Sequence, residues 1–174
     1  MNSVTATDAI VQEITIKAPA ERVFKALTDP GQRVKWWGAE GRFQTTHMES
    51  DLRVGGKWMM RGIGLGGKPF TVKGEYREIE PPGLLVFTWL PDWQEDSTET
   101  MVRFELEETD GVTTIRLTLS GLASESSRAS HKGWPQILAW LRAYVERQDE
   151  LAPVSKHPRE ARPRVRGLFR PSAE

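Results

Sequence analysis

Hydrophobic and polar residues alternate along most of the chain. From Gly41 to Gly121, five segments place apolar side chains at every second position. This period of two predicts strands with one buried face and one face toward water. The predicted apolar wall comprises Trp58, Met60, Val72, Tyr76, Leu85, Phe87, Trp89, Val102, Phe104, Leu106, Ile115, Leu117 and Leu119. A separate strand is predicted near the N-terminus, where Ile10, Ile14 and Ile16 alternate with polar residues.

Two short helices are predicted between that first strand and the sequence Trp36-Trp37-Gly38. Pro19 suits the start of the first helix, since proline is favoured there. Asp29 can cap the second helix, Pro30 fits its first turn, and Gln32 can reach back as in a capping box. Glu75 and Arg103, which have the opposite parity in their strands, are expected to form a salt-bridge pair on the wet face; acid–base work is the alternative if they face inward.

The hydrophobic period changes to that of a helix after Gly121. One stripe contains His131, Trp134, Leu138, Leu141 and Val145. Because Pro135 lacks a backbone donor, the main helix either begins near Trp134 or kinks there. We expect this helix to cover the apolar wall. The side chains of a curved sheet and those of a single helix cannot interdigitate everywhere. We therefore expect a hollow between the sheet and the helix.

Composition limits the class of protein. The 174 residues suit one domain, and no apolar run reaches the roughly 20 residues of a membrane span. Met1–Asp8 lacks the pattern of a secretory signal, and the chain has no Cys. These features lead us to expect a cytoplasmic protein with no membrane association.

The charge is distributed unevenly despite a net charge of zero. Residues 156–174 carry six Lys and Arg against two Glu, together with three prolines. We therefore predict an N-terminal extension over 1–9, a domain over 10–150 and a basic Pro/Arg-rich tail over 151–174. The tail is expected to be solvated, with docking on an acidic surface as the alternative, and nucleic acid binding is disfavoured.

Motifs for catalysis, nucleotides or metals are weak. Gly62–Lys68 approaches the phosphate-loop pattern, but Pro69 replaces the Ser or Thr that would hold magnesium, and strands follow. We interpret this segment as a flexible hairpin that could act as a lid. Neither His47 nor His157 has the spacing of a metal site. We expect no metal ion, no cofactor and no catalytic residue.

Several strings occur in the order found in one known family. They are Leu27–Pro30, Trp36–Gly38, Asp51–Trp58, Gly74–Tyr76, Ile79–Pro82, Leu85–Trp89 and His131–Trp134. The chain resembles the bacterial family related to the activator of Hsp90 ATPase, in the START-like, Bet v 1-like (SRPBCC) superfamily. The resemblance runs from about Ile10 to about Glu146. It implies an α+β helix-grip fold, in which a curved antiparallel sheet wraps around a long C-terminal helix and two short helices follow strand one.

The resemblance also suggests a function. Members of this superfamily bind lipids, polyketide-like or flavonoid-like molecules between sheet and helix. We expect a small hydrophobic ligand as partner, with homodimer formation left open. The alternatives are a cyclase or hydrolase using the same cavity, and a chaperone-related or regulatory interaction protein. The chaperone role is disfavoured because the chain has no room for the additional N-terminal domain of the name-giving cochaperones.

The candidate ligand-binding residues come from the wall, the helix start and the segment before Gly38. They are Trp36, Trp37, Trp58, Met60, Tyr76, Phe87, Trp89, Phe104, His131, Trp134 and Leu138. His131 is the polar candidate, because a ring at the helix start could offer a hydrogen bond to a ligand. A structural role is the alternative for each of these residues.

Overall fold

A computed structural model describes residues 9–39, 42–92, 99–122 and 133–151, with the backbone alone for 148–151. The strands are β1 (Ile10–Ile16), β2 (Gly38–Ala39), β3 (Phe43–Ser50), β4 (Lys57–Ile63), β5 (Pro69–Glu80), β6 (Leu84–Pro91), β7 (Thr100–Thr109) and β8 (Val112–Ser120). The helices are α1 (Ala20–Thr28), α2 (Pro30–Trp36) and α3 (Trp134–Leu151). This order confirms the predicted α+β helix-grip fold, including the two short helices after the first strand.

The eight strands form one antiparallel sheet in the order β1-β8-β7-β6-β5-β4-β3-β2. Consecutive strands from β2 to β8 are neighbours, and β1 joins the far edge beside β8. Irregular register occurs in β3 and between Tyr76 and Glu78 of β5. Such irregularities increase the local twist and bend a strand. The sheet curls into a half-barrel with a concave face.

The concave face carries the predicted apolar wall. All thirteen of its residues are buried, and Met60, Val102, Ile115, Leu117 and Leu119 are completely inaccessible to solvent. The alternation places charged residues on the convex face, where Glu13 of β1 pairs with Arg116 of β8 at 3.3 Å. The period of two therefore identified the two faces correctly.

The predicted pairing of Glu75 with Arg103 is wrong, although both residues lie on the convex face. Glu75 instead lies 3.9 Å from Arg77, and Arg103 lies 3.1 Å from Glu105. Each partner is two residues further along the same strand. Residues at this spacing share a face, and the strand register decides which charges meet across it.

The short helices follow their local signals. Asp29 Oδ1 accepts a hydrogen bond from the Gly31 amide at 3.2 Å, as predicted for a cap. Gln32 reaches the Asp29 side chain at 3.4 Å rather than the backbone, so the capping box is incomplete. Trp36 Nε1 donates to the Ala26 carbonyl at 2.9 Å and thereby ties α2 to α1.

Helix α3 begins at Trp134, with Pro135 in its first turn, where no intrahelical donor is needed. Trp134 packs against Trp89 and Phe104, with ring centroids 5.0 and 6.3 Å apart. Leu138, Leu141 and Val145 are buried behind it. The helix therefore closes the concave face, as predicted.

Two hairpins agree with their turn sequences. At the β7–β8 turn, Asp110 and Gly111 have φ angles of 51° and 80°. These positive values are those of a tight primed turn. The segment Gly62–Lys68 forms the β4–β5 hairpin and contains a short 3₁₀ turn at Leu65–Gly67.

The predicted domain boundaries remain predictions, because residues 1–8 and 152–174 lie outside the described part of the chain. Within the described residues, none of the helices combines the length and the apolar character needed to cross a bilayer.

Candidate functional site

A cavity of about 650 Å³ lies at one end of the half-barrel. It is bordered by the end of α2, the start of β3, the β4–β5 hairpin, β5, the end of β6 and the start of α3. The lining residues are Trp37, Arg42, Phe43, Gly64, Leu65, Lys68, Pro69, Phe70, Val72, Trp89, Asp92, Gly133, Trp134 and Ile137. Five separate stretches of the chain must therefore come together to form this site, since the hairpin runs directly into β5.

Three tryptophans form the floor of the cavity. The rings of Trp37, Trp89 and Trp134 lie 5.0–5.8 Å apart in tilted or edge-to-face geometry. Each side chain is at most 3% exposed, so neighbouring side chains fix its position. Aromatic rings in such contacts hold one another in place. The floor is an aromatic surface suited to contact with an apolar molecule.

The side wall is also aromatic. Phe43 contacts Phe70 and Trp140 edge to face, with centroids 5.6 and 5.5 Å apart. Ile137 of α3 completes this wall and is 8% exposed. Together these residues give the cavity an apolar interior.

Polar side chains lie at the rim. Arg42, Lys68 and Asp92 line the cavity and are exposed to solvent. Asp92 Oδ2 accepts a hydrogen bond from the Thr71 amide at 3.0 Å, which holds that side of the rim on β5. Leu65, at the tip of the β4–β5 hairpin, is 72% exposed.

One charged side chain is buried beneath the floor. Arg33 of α2 is 2% exposed, and its Nη1 donates to the Leu27 carbonyl at 2.7 Å. The guanidinium carbon lies 4.3 Å from the centroid of the Trp37 ring and 5.8 Å from that of Trp58. Burial lowers the pKa of Arg33 to about 10, which still leaves the side chain charged at neutral pH.

Tyr76 lies in the same part of the interior. Its hydroxyl is 2.7 Å from Ser50 Oγ. Burial raises the pKa of Tyr76, while the hydrogen bond with Ser50 and the charge of Arg33 act in the opposite direction. The phenol is therefore neutral at physiological pH and supplies no countercharge to Arg33.

The structure divides the predicted site residues into two groups. Trp37, Trp89 and Trp134 line the cavity. The other described candidates lie in the core and are not among the lining residues: Trp36, Trp58, Met60, Tyr76, Phe87, Phe104 and Leu138. His131 lies outside the described residues, so its proposed role at the rim stays a prediction.

Sequence reasoning missed most of the lining. Arg42, Phe43 and Phe70 belong to strand ends, where the alternating pattern is too short to show which side faces a cavity. The one usable signal was the glycine-rich segment, interpreted as a lid, which contributes Gly64, Leu65 and Lys68. Arg33 carried no signal, because an arginine in a short polar helix normally faces water.

The described residues carry isolated or paired charged groups rather than clusters of possible metal ligands. No group of three or more His, Asp or Glu side chains within this part of the chain is placed to hold a metal ion. His47 pairs with Glu49 at 2.9 Å on the exposed face of β3. Glu75 and Arg103 lie on the convex face, away from the cavity.

Comparison with known sequences gives one family. The family described as Activator of Hsp90 ATPase homolog 1-like protein matches residues 17–146. This stretch includes every lining residue of the cavity. Among curated proteins, none matches the chain.

Solved structures share the fold. Protein CV1439 from Chromobacterium violaceum is 26% identical, with a TM-score of 0.70, over 80% of this chain and 98% of that one. The AHSA1-like protein from Aeromonas hydrophila is 26% identical, with a TM-score of 0.67, over 81% and 94% of the two chains. CalU16 from Micromonospora echinospora is 22% identical, with a TM-score of 0.59, over 85% and 81%, and is similar in fold alone.

Proposed function

The chain belongs to the family of Activator of Hsp90 ATPase homolog 1-like proteins, and on that basis we propose that it binds and carries a small hydrophobic molecule in its cavity. We propose the cytoplasm as the site of this activity, since a chain without Cys suits a reducing compartment. The fold is consistent with a ligand-binding domain. The class of ligand is inferred from the size and lining of the cavity.

The observation that carries this proposal is the size and lining of the cavity. A volume of about 650 Å³ lies within the range of about 300–1,000 Å³ typical of small-molecule sites. Such sites are mostly apolar with a few placed polar groups. Here the floor and wall are aromatic, and the polar groups are Arg42, Lys68 and Asp92 at the rim.

The aromatic floor favours a flat or extended ligand. Trp89 and Trp134 hold each other at a fixed tilt, with ring centroids 5.0 Å apart, so they form a preformed surface. A ligand that meets a preformed surface avoids part of the cost of ordering side chains on binding. Planar aromatic molecules and fatty acyl chains both satisfy this geometry.

The proposal is tested by filling the cavity. Ile137→Trp places a large ring in the lining, whereas Val11→Trp adds the same ring on β1, where Val11 is 48% exposed. Binding of flavone and oleic acid is measured by isothermal titration calorimetry with the wild type and both variants. We expect saturable binding of at least one probe to the wild type and to Val11→Trp, and a loss of roughly tenfold or more in Ile137→Trp.

Thermal unfolding of each variant serves as the control for folding. A ligand that binds the native state raises the melting temperature by mass action. Each probe that binds the wild type in calorimetry should therefore also raise its melting temperature. The proposal would be contradicted if neither flavone nor oleic acid binds the wild type, or if folded Ile137→Trp binds the probes as tightly as the wild type does.

A further inference from the structure

Arg33 is an anomaly in the interior of the protein. Buried arginines are normally paired with a carboxylate, because an unpaired buried charge is costly. Among the described residues, no carboxylate forms an ion pair with Arg33, and none provides a hydrogen-bond acceptor for its Nε or Nη2. A group that is both buried and unsatisfied calls for a physical explanation.

The two unused donors lie on one edge of the guanidinium. Nη1 is occupied by the Leu27 carbonyl at 2.7 Å, which fixes the orientation of the planar group. Nε and Nη2 point together in the same direction and form the fork that binds two oxygens of a carboxylate at once. The protein thus holds Arg33 by one donor and leaves the bidentate edge available.

The surroundings of Arg33 connect it to the cavity. Trp37 lines the cavity, and the guanidinium carbon of Arg33 lies 4.3 Å from the centroid of the Trp37 ring. Trp58, on the other side, contacts Trp89, a second residue of the cavity floor, at 5.8 Å between centroids. Arg33 is therefore one ring away from the space proposed for the ligand.

Resting on the proposed function, we propose that the natural ligand is an apolar carboxylic acid and that Arg33 is its anion anchor. The apolar body of the ligand lies on the tryptophan floor. To reach Nε and Nη2, the carboxylate displaces the Trp37 ring, while Trp89 and Trp134 keep their places in the floor. The ligand supplies the countercharge that none of the described carboxylates provides.

This arrangement differs from recognition at the rim. Arg42 and Lys68 are exposed, and charge pairs there are weakened by water and salt. A carboxylate bound by Arg33 is shielded from solvent and forms a charge-assisted pair of hydrogen bonds. An anchor at Arg33 and an anchor at the rim therefore lead to different expected effects of salt and of substitution on ligand binding.

The test compares two probes of the same shape, 2-naphthoic acid and 2-naphthamide. Their dissociation constants are measured for the wild type, Arg33→Met, Arg33→Lys and Arg42→Gln. We expect the wild type and Arg42→Gln to bind the acid more tightly than the amide by roughly 10- to 100-fold, the usual gain from a hydrogen bond to a charged group. Arg33→Met should lose this preference, and Arg33→Lys should retain only part of it.

A second measurement needs no substitution. The ¹⁵N resonance of the Arg33 Nε–H group is followed during titration of the wild-type protein with each probe. The signal is assigned to Arg33 by its absence from the spectrum of Arg33→Lys. A saturable shift with the acid that is absent with the amide supports the proposal. This measurement keeps the test decisive if Arg33→Met does not fold.

Other outcomes overturn the inference in distinguishable ways. If the preference for the acid survives in Arg33→Met but disappears in Arg42→Gln, the anchor lies at the rim. If the wild type binds acid and amide equally, the anion anchor is wrong while the proposed binding of hydrophobic molecules stands. If the wild type binds none of the four probes, which are the two naphthalene compounds, flavone and oleic acid, the proposed function fails together with the inference.

Discussion

Arg33 shows how one side chain can oppose stability. Its guanidinium lies among tryptophan rings, and burial lowers its pKa to about 10, which corresponds to a net cost of about 3 kcal/mol for keeping the charge. The hydrogen bond to Leu27 and the contact with Trp37 offset part of this cost. A residue kept at such a cost is expected to serve a purpose other than folding.

Arg33→Met is therefore predicted to leave the free energy of unfolding unchanged or to raise it by up to about 2 kcal/mol at pH 7. Replacement of buried charges by apolar residues of similar volume is often neutral or stabilising. The penalty in the wild type is fully present below the folded pKa of about 10 and is lost as the pH rises from there toward the higher pKa of the unfolded chain. The advantage of the variant should consequently shrink above pH 10. Urea denaturation at pH 7 and pH 10.5 measures both effects.

Arg42→Met is the matched control for this stability measurement, since it removes the same group from an exposed position at the rim. We expect a change within about 0.5 kcal/mol at either pH. A loss of more than 2 kcal/mol in Arg33→Met at pH 7 would show that the residue is a structural tie between α1 and α2.

At the scale of elements, the approach of β5 to its neighbours depends on Gly74. A Cβ added there would overlap the Thr88 carbonyl oxygen of β6 and would lie 2.6 Å from Trp58 Nε1. Strand β5 is also displaced in register close to this point, between Tyr76 and Glu78. The close packing of three strands beneath the tryptophan cluster thus requires a residue without a side chain.

Gly74→Ala is predicted to destabilise the fold by about 3 kcal/mol or more, because the added methyl group collides with backbone atoms that cannot rotate away. The free energy of unfolding is measured by chemical denaturation. Gly31→Ala in α2 is the control: the nearest atom to its new Cβ is Asp29 Oδ1 at 3.7 Å. There the substitution should be neutral or stabilising by up to about 1 kcal/mol. Equal effects at the two positions would contradict the packing described for β5 and β6.

At the scale of the whole molecule, the described core is built from residues between Ile16 and Val145. This core joins the concave face of the sheet to one side of α3. Its parts come from both edges of the sheet, from the short helices and from the long helix. Stability is therefore expected to depend on the assembly of the half-barrel rather than on segments beyond α3.

Truncation after Leu151 is predicted to change the free energy of unfolding by less than about 0.5 kcal/mol. The removed sequence carries a net positive charge and few large apolar residues, so its composition can bury little apolar area. Thermal and urea unfolding of the full and shortened chains measure the difference. A loss well above this value would mean that the basic segment docks on the domain.

The sequence alone predicted β1 and β4 to β8, their buried face and the turn at Asp110-Gly111, and it predicted a helix start near Trp134 as one of two alternatives. These features depend on hydrophobic period, on proline and on positive φ angles, which act between residues close along the chain. For that reason they are visible without any knowledge of the partners across the sheet.

Only the tertiary structure decided which aromatic residues line the cavity. Trp89 and Phe87 belong to the same predicted wall, yet Trp89 borders the cavity while Phe87 packs against Trp58 in the core. The difference depends on where the curvature of the sheet departs from that of α3, and five stretches distant in sequence set that position. The burial of Arg33 has the same origin, because a charged residue on a two-turn helix becomes interior only when Trp37 and Trp58 close over it.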